Sequence, residues 1–280
     1  ISRPGGPISV IHQDATTTLT AAGLADDDDF PLLEAAIACA LHDDPMREAE
    51  PVRLLARQAA ERLLERIGGE PVEDALTETL SAELRLTGDL IHGGDPANTD
   101  IIAVAERRRG LSVALAVFYL DAARQAGIPA TGVDFPGHFL IRVETADGPV
   151  ALDPFSQGQL VLPSELTRRA LCAGLTPHVA DRLDLLMAPV TARQALIRLQ
   201  AMQFSRAIAA GDCKAAERSA LRRALLDPDD HRPWLDVAAA RERCGALTGA
   251  MEALARAEDL DGPALVRRQT SLDRVRLQLN

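Results

Sequence analysis

Between Pro129 and Pro154 the apolar residues of this chain change their period. Val133, Phe135, Phe139, Ile141 and Val143 alternate with other residues. Val150–Leu152 makes a second short extended run across Asp147-Gly148, a dipeptide that favours a tight hairpin turn. Almost everywhere else the apolar residues recur at the three- and four-residue steps of a buried helix face. One β region within helical sequence predicts a mostly helical α+β fold.

The helical segments can be placed from their punctuation. Leu32, Leu33, Ala36, Ile37, Ala40 and Leu41 form the first stripe. Pro51 opens a second helix that stops at Gly68-Gly69, and Pro71 opens a third that carries Leu76, Leu80 and Leu84. The stretch 89–100 is rich in Gly, Pro, Asp and Asn and reads as a loop in which His92 and Asp95 could form part of a lid. Asn98 or Thr99 would then cap a helix running to Arg108, where Arg107-Arg108-Arg109 can complement the helix dipole or bind an anion. A strongly apolar helix follows from Ser112 to Gln125, stopped by Gly127. In the N-terminal stretch, Arg3–Pro7 reads as a turn, Ile8–His12 as an edge strand, and Asp26–Asp29 as a solvated acidic turn.

After Pro163 the chain is helical again. Shifting residues 207–228 by 34 positions aligns Gly211 with Gly245, Ala216 with Ala250, Arg222 with Arg256, Leu226 with Leu260 and Asp227 with Asp261. A 34-residue period of helix–turn–helix units is the tetratricopeptide signature. The expected organisation is an N-terminal helical region (1–97), a core (98–180) and a repeat-like helical domain (181–280), the first two forming one folded unit.

The chain has 280 residues and a formal net charge of −11, a balance that argues against a general nucleic-acid binder. No apolar run approaches the roughly 18–20 residues of a membrane span, and no signal peptide is visible. Cys39, Cys172, Cys213 and Cys244 are widely spaced without a CxxC pair, which predicts neither a zinc site nor a disulfide framework and makes the cytoplasm the default compartment. Cys172, in an apolar helical context, reads as a buried structural thiol. No cofactor or metal is expected.

Three polar residues fall where local structure would present them. Ser112 begins the apolar helix, where unpaired N–H groups favour a developing anion. His138, in F-P-G-H-F-L-I, begins a strand, and Asp153 ends its hairpin partner. A hairpin at Asp147-Gly148 makes His138 and Asp153 neighbours, so a carboxylate could orient the imidazole toward the helix start. Gly110, Leu111, Phe135 and Gly137 would line the pocket. Each residue also has a bland reading: Ser112 as helix cap, His138 as a strand histidine bonded to backbone, Asp153 as a turn residue.

The motifs G-L-S at 110–112, R-Q-A-G-I-P-A, G-V-D-F-P-G-H-F-L-I-R-V and A-L-D-P-F resemble the transglutaminase-like core, and most closely its SirB-type branch. That branch joins a papain-like core to C-terminal tetratricopeptide repeats. The resemblance implies that Ser112 stands at the nucleophile position, His138 at that of the general base and Asp153 at that of its orienter. Active transglutaminases carry cysteine at the first position; this chain has serine. A thiol can be held as thiolate beside imidazole, whereas a serine proton must leave during attack, to an aligned base beside an oxyanion hole. The leading expectation is therefore a non-catalytic protein that binds a peptide or protein partner through its helical repeats or its cleft. The alternative is a serine-dependent acyl hydrolase or acyltransferase using Ser112, His138 and Asp153. The oligomeric state is left open.

Overall fold

The computed structural model describes residues 7–261, with side chains from 15 to 260. The turn expected at Arg3–Pro7 falls almost wholly outside the described residues. The fold is mostly helical with a small antiparallel sheet, as the change of period predicts. The chain divides into two compact units, one built from residues 30–40 and 47–196, the other from the described parts of 1–29, 41–46 and 197–280. In chain order the first elements are α1 (Pro7–Leu24), α2 (Leu32–Asp43), α3 (Glu50–Arg66) and α4 (Val72–Thr77). The Ile8–His12 segment expected as an edge strand is the first part of α1. Downstream in that helix Ala15, Leu19 and Ala22 are buried at helical spacing, and this face fixes the segment as helix despite its β-branched start. Asp27–Asp29 form an exposed 3₁₀ turn.

In the larger unit, α4 passes into a π-helical turn at Glu78–Glu83, which buries Leu80 and leads to β1 (Thr87–Gly88). β1 pairs in parallel with β2 (Arg109–Gly110), closing an excursion that contains a 3₁₀ turn at Pro96–Thr99 and α5 (Ile101–Arg107). The cap of α5 is Asp100, not Asn98 or Thr99; its carboxylate accepts the Ala103 N–H at 2.8 Å. Arg107 donates to Asp89, Asp95 and Asn98, so the first arginine of the triplet braces the excursion from inside. Asp89 also accepts the N–H groups of His92 and Ile91, and these bonds, that of His92 foremost, hold its carboxyl below the usual range.

The central helix is α6 (Ser112–Gln125), buried from Val113 to Ala123 on all faces. It packs against α3 and against the sheet, which explains its continuous apolar sequence. The sheet has the order β3 (Ala130–Val133), β4 (Leu140–Thr145), β5 (Gly148–Asp153) and β6 (Gln159–Leu160), all antiparallel. The β4–β5 hairpin forms as expected but turns one residue earlier, at Ala146-Asp147, with Gly148 already paired with Thr145 and Ile141 opposite Leu152. α7 (Pro163–Cys172), α8 (Pro177–Ala180) and α9 (Leu183–Leu186) then cover Val133, Phe135, Leu140 and Ala151.

The second unit holds most of α10 (Ala192–Ala210), then α11 (Cys213–Leu226), α12 (Arg232–Arg243) and α13 (Leu247–Asp261). Its core is alanine-rich: Ala220, Val237, Ala238, Ala250, Ala253 and Leu254, flanked by the half-buried Trp234. Small side chains let consecutive helices approach closely. Gly211 and Gly245 both take the left-handed conformation, with φ of 75° and 74°, just before α11 and α13. Cys213 and Cys244 are disulfide-bonded, with Cα atoms 5.7 Å apart. The sequence reading expected no disulfide. The bond follows from the hairpin, since Cys213 opens α11 and Cys244 ends α12, so a separation of 31 residues becomes a contact. It also removes the cysteine-spacing argument for a reducing compartment. No described helix is long and apolar enough to cross a membrane.

Arg222 is a buried arginine, 1% exposed, which bonds Gln200, Gln203 and Ser219. Its charge is met by Asp43, whose Oδ1 lies 2.8 Å from Arg222 Nη1 and accepts from Arg218 at 2.7 Å. Burial works to raise the pKa of Asp43, and Arg222 and Arg218 outweigh it, leaving the pKa lowered. Asp43→Ala is expected to cost about 2 kcal/mol near neutral pH, because a buried guanidinium loses its counter-ion. A carboxyl with a lowered folded pKa stabilises above its unfolded value of about 4 and loses that contribution as pH falls through the folded value. Urea unfolding of both proteins should therefore show a gap that narrows on acidification; a gap independent of pH would contradict this role.

Candidate functional site

The segment Phe135-Pro136-Gly137-His138 is a reverse turn, not the start of a strand. Pro136 supplies the fixed φ of the second position, Gly137 takes φ +77° at the third, and His138 N–H donates to Phe135 carbonyl at 2.9 Å. The apolar alternation from Val133 to Val143 runs through this point, and the Pro-Gly turn interrupts it. His138 thus emerges from a rigid turn two residues before β4, half-buried.

Ser112 is the first residue of α6, preceded by Leu111 as cap, so its hydroxyl is not the helix cap. Ser112 Oγ instead accepts the N–H of Phe139 at 3.2 Å. The serine and the histidine are thereby brought within one residue of each other, yet no hydrogen bond joins their side chains. Gly110 sits beside Gly88 in the parallel pair, and Phe135 is buried in the core at 1% exposure.

Asp153 is fully buried at the end of β5. Its Oδ1 accepts the N–H groups of Phe155 and Ser156, and its Oδ2 accepts Ser156 Oγ at 3.0 Å and Arg169 Nη1 at 2.7 Å. Asp153 makes no hydrogen bond to His138. Its pairing with Arg169 was not legible in the sequence, since it exists only because α7 packs over the strand end. Arg169 is in turn held by Glu165, which also binds Arg168 through both carboxylate oxygens. Those hydrogen bonds from Arg168 and Arg169 pull the Glu165 carboxyl down to about 2. Burial lowers the pKa of His138, and the positive charge of Arg169 adds to that; Asp153 and Glu165 act in the opposite direction.

A surface cavity of about 410 Å³ opens at this place, lined by Pro136, Gly137, His138, Glu165, Arg168, Arg169, Cys172 and Ala173. Of the expected site residues, His138 and Gly137 line it. Ser112, Asp153, Gly110, Leu111 and Phe135 do not. Cys172, expected as a buried structural thiol, is exposed at the last turn of α7. Its neighbours are apolar, but Leu166 and Ala170 form the buried face of that helix and Cys172 lies off it.

Residues 49–201 match a family described as the transglutaminase-like superfamily. Among the curated proteins, the chain is 32% identical over 241 residues to a UPF0162 protein of Xylella fastidiosa strain Temecula1, covering 82% of this chain and 84% of that one. A UPF0162 protein of Pseudomonas aeruginosa is 32% identical over 167 residues, 48% of this chain and 60% of the relative. F-box only protein 21 of Mus musculus is 30% identical over 102 residues, 34% of this chain and 16% of that protein.

Proposed function

The chain belongs to the transglutaminase-like superfamily, and from that premise we propose that it is a member without acyl-transfer activity that binds a peptide or protein partner. The observation that carries this reading is how Asp153 is used. A serine nucleophile needs an imidazole that becomes imidazolium as it takes the hydroxyl proton, with a carboxylate to orient and stabilise it. Here both oxygens of Asp153 are engaged by Arg169 and by the turn that follows it. Burial, and after it the charge of Arg169, also disfavour the protonated imidazole. With Ser112 in place of cysteine, there is neither a ready thiolate nor an aligned base.

The partner-binding reading draws on the helical hairpins. α11 and α13 begin 34 residues apart, at Cys213 and Leu247, each shortly after a left-handed glycine. This spacing supports tetratricopeptide-like repeats, and with them the SirB-type branch of the family; concave arrays of that kind suit extended peptides. A second reading, a serine-dependent acyl hydrolase, is favoured only by the closeness of Ser112 to the His138 turn.

Fluorophosphonate labelling followed by intact mass separates the two. No adduct is expected on the wild-type protein. An adduct that vanishes in both Ser112→Ala and His138→Ala would establish an activated serine and end the non-catalytic reading. Peptides selected on the wild type from a displayed library should bind Ser112→Ala equally well.

A further inference from the structure

The arginine triplet at 107–109 is divided by the fold. Arg107 donates to Asp89, Asp95 and Asn98. Arg108 and Arg109 make no side-chain hydrogen bond or ion pair among the described residues. β1 and β2 run parallel, with Thr87 opposite Arg109 and Gly88 opposite Gly110. Parallel pairing sets the entries of both strands at one end, with the two chains roughly 4.8 Å apart. Arg85, two residues before β1, therefore comes beside Arg108 and Arg109. It is exposed and likewise unpaired among the described residues. The base beneath is firm: Leu84 and Leu86 on either side of Arg85 are buried, and a Cβ added at Gly88 or Gly110 would collide with Phe155 or Val104. We propose that this end of the β1–β2 pair is an oxyanion site, which takes a phosphate monoester among the guanidinium groups of Arg85, Arg108 and Arg109.

Two observations show charge held there without compensation. Arg85 and Arg108 both take the left-handed conformation, with φ of 61° and 58°. Each follows a helical turn, where glycine is the usual residue and adopts this conformation freely. The strain of a non-glycine residue there is at least as large as what a cation gains at a helix C-terminus, so the helix dipole does not account for two arginines. Arg108 Nη1, moreover, is buried without a hydrogen-bond partner. Burial first, and the charge of Arg62 after it, lower the Arg108 pKa, and no carboxylate opposes them. Glu83, the acid two residues before Arg85, is already held by Arg62 and Arg66.

The ligand class follows from the donors. A guanidinium fork matches the oxygens of a phosphate, and a phosphate monoester brings three acceptor oxygens and close to two negative charges, where a carboxylate brings one charge. A chain with a net charge of −11 repels an extended polyanion or an anionic bilayer, so a compact anion fits this local patch. None of the three arginines lines the cavity at His138, and the inference stands or falls separately from the non-catalytic reading.

The test uses the full chain at an ionic strength of about 0.15 M, where loosely held ions are screened. Inorganic phosphate and a phosphoserine peptide are titrated by calorimetry, with the unphosphorylated peptide as control. Both phosphates are expected to saturate, and the control to stay unbound. A higher affinity for the phosphopeptide identifies a peptide-borne group; equal affinities identify a free phosphate compound. Arg85→Gly and Arg108→Gly should each weaken binding about tenfold, the usual loss with one charge-assisted hydrogen bond. Urea unfolding should stay near that of the wild type, because relief of left-handed strain offsets the freer unfolded chain of glycine. Arg109→Gln, at an exposed side chain, carries the test if Arg108→Gly fails to fold. Absence of saturation by phosphate, unchanged affinity in the folded variants, or equal binding of the unphosphorylated peptide would overturn the proposal. So would phosphatidylserine vesicles that sediment with the protein through the same arginines.

Discussion

Asp153→Ala is expected to destabilise the larger unit by about 3–5 kcal/mol, the usual consequence of removing one partner from a buried ion pair. The carboxylate is fully buried, Arg169 is 15% exposed, and loss of Asp153 leaves the guanidinium without its 2.7 Å contact. The N–H groups of Phe155 and Ser156 lose their acceptor as well. Hydrogen exchange read by mass over β4 and β5 should show the loss as faster opening in denaturant. An orienting residue of an active triad would behave differently: its removal would lower turnover while leaving strand protection largely intact. A variant with wild-type protection would therefore overturn the structural role given to Asp153. Asp153→Asn should recover part of the loss, because an amide still accepts the two backbone N–H groups but cannot neutralise Arg169.

The second large effect belongs to the helical hairpins. Reducing Cys213–Cys244, or replacing Cys244 by serine, is expected to cost about 3–4 kcal/mol on the chain-entropy account of a 31-residue closed loop. In urea this corresponds to a midpoint shift of about 2 M in the helical circular dichroism of that unit. The alanine-rich interface between α11, α12 and α13 buries little apolar surface per residue, so the covalent tie carries an unusual share of the stability there. Coincident unfolding curves with and without reductant, with the bond shown by mass to have been broken, would remove the disulfide from any stabilising role.

Much of the helical architecture was legible in the sequence because apolar residues and helix punctuation mark it. The Leu76, Leu80 and Leu84 spacing and the all-round apolar run of α6 lead directly to buried helices, whereas in α3 Leu55 and Leu63 are buried while Leu54 and Leu64 are exposed, so its leucines do not mark one face. The failures share a cause. Ile8–His12 was assigned from five residues, while the face that makes α1 helical lies downstream at Ala15, Leu19 and Ala22. The apolar alternation from Val133 to Val143 ran over the turn that holds His138, although Pro136-Gly137 announced it. In the candidate site, the places of Ser112 at a helix start and Asp153 at a strand end were accessible from local sequence. The bonds they make were not, because Arg169 reaches Asp153 from an element sixteen residues away, and Cys172 and Cys213–Cys244 are placed by how helices pack.

The chain contains one tryptophan and one tyrosine, and the fold separates them. Trp234 sits against the helical-hairpin core, while Tyr119 is buried in the larger unit with its hydroxyl 2.6 Å from Ser81 Oγ. Indole emission therefore reports on one unit, and the near-ultraviolet dichroism of the phenol, once the indole bands are subtracted, on the other. A single intact chain carries two native optical reporters, so the melting of either unit can be followed without labels, dissection or added chromophores.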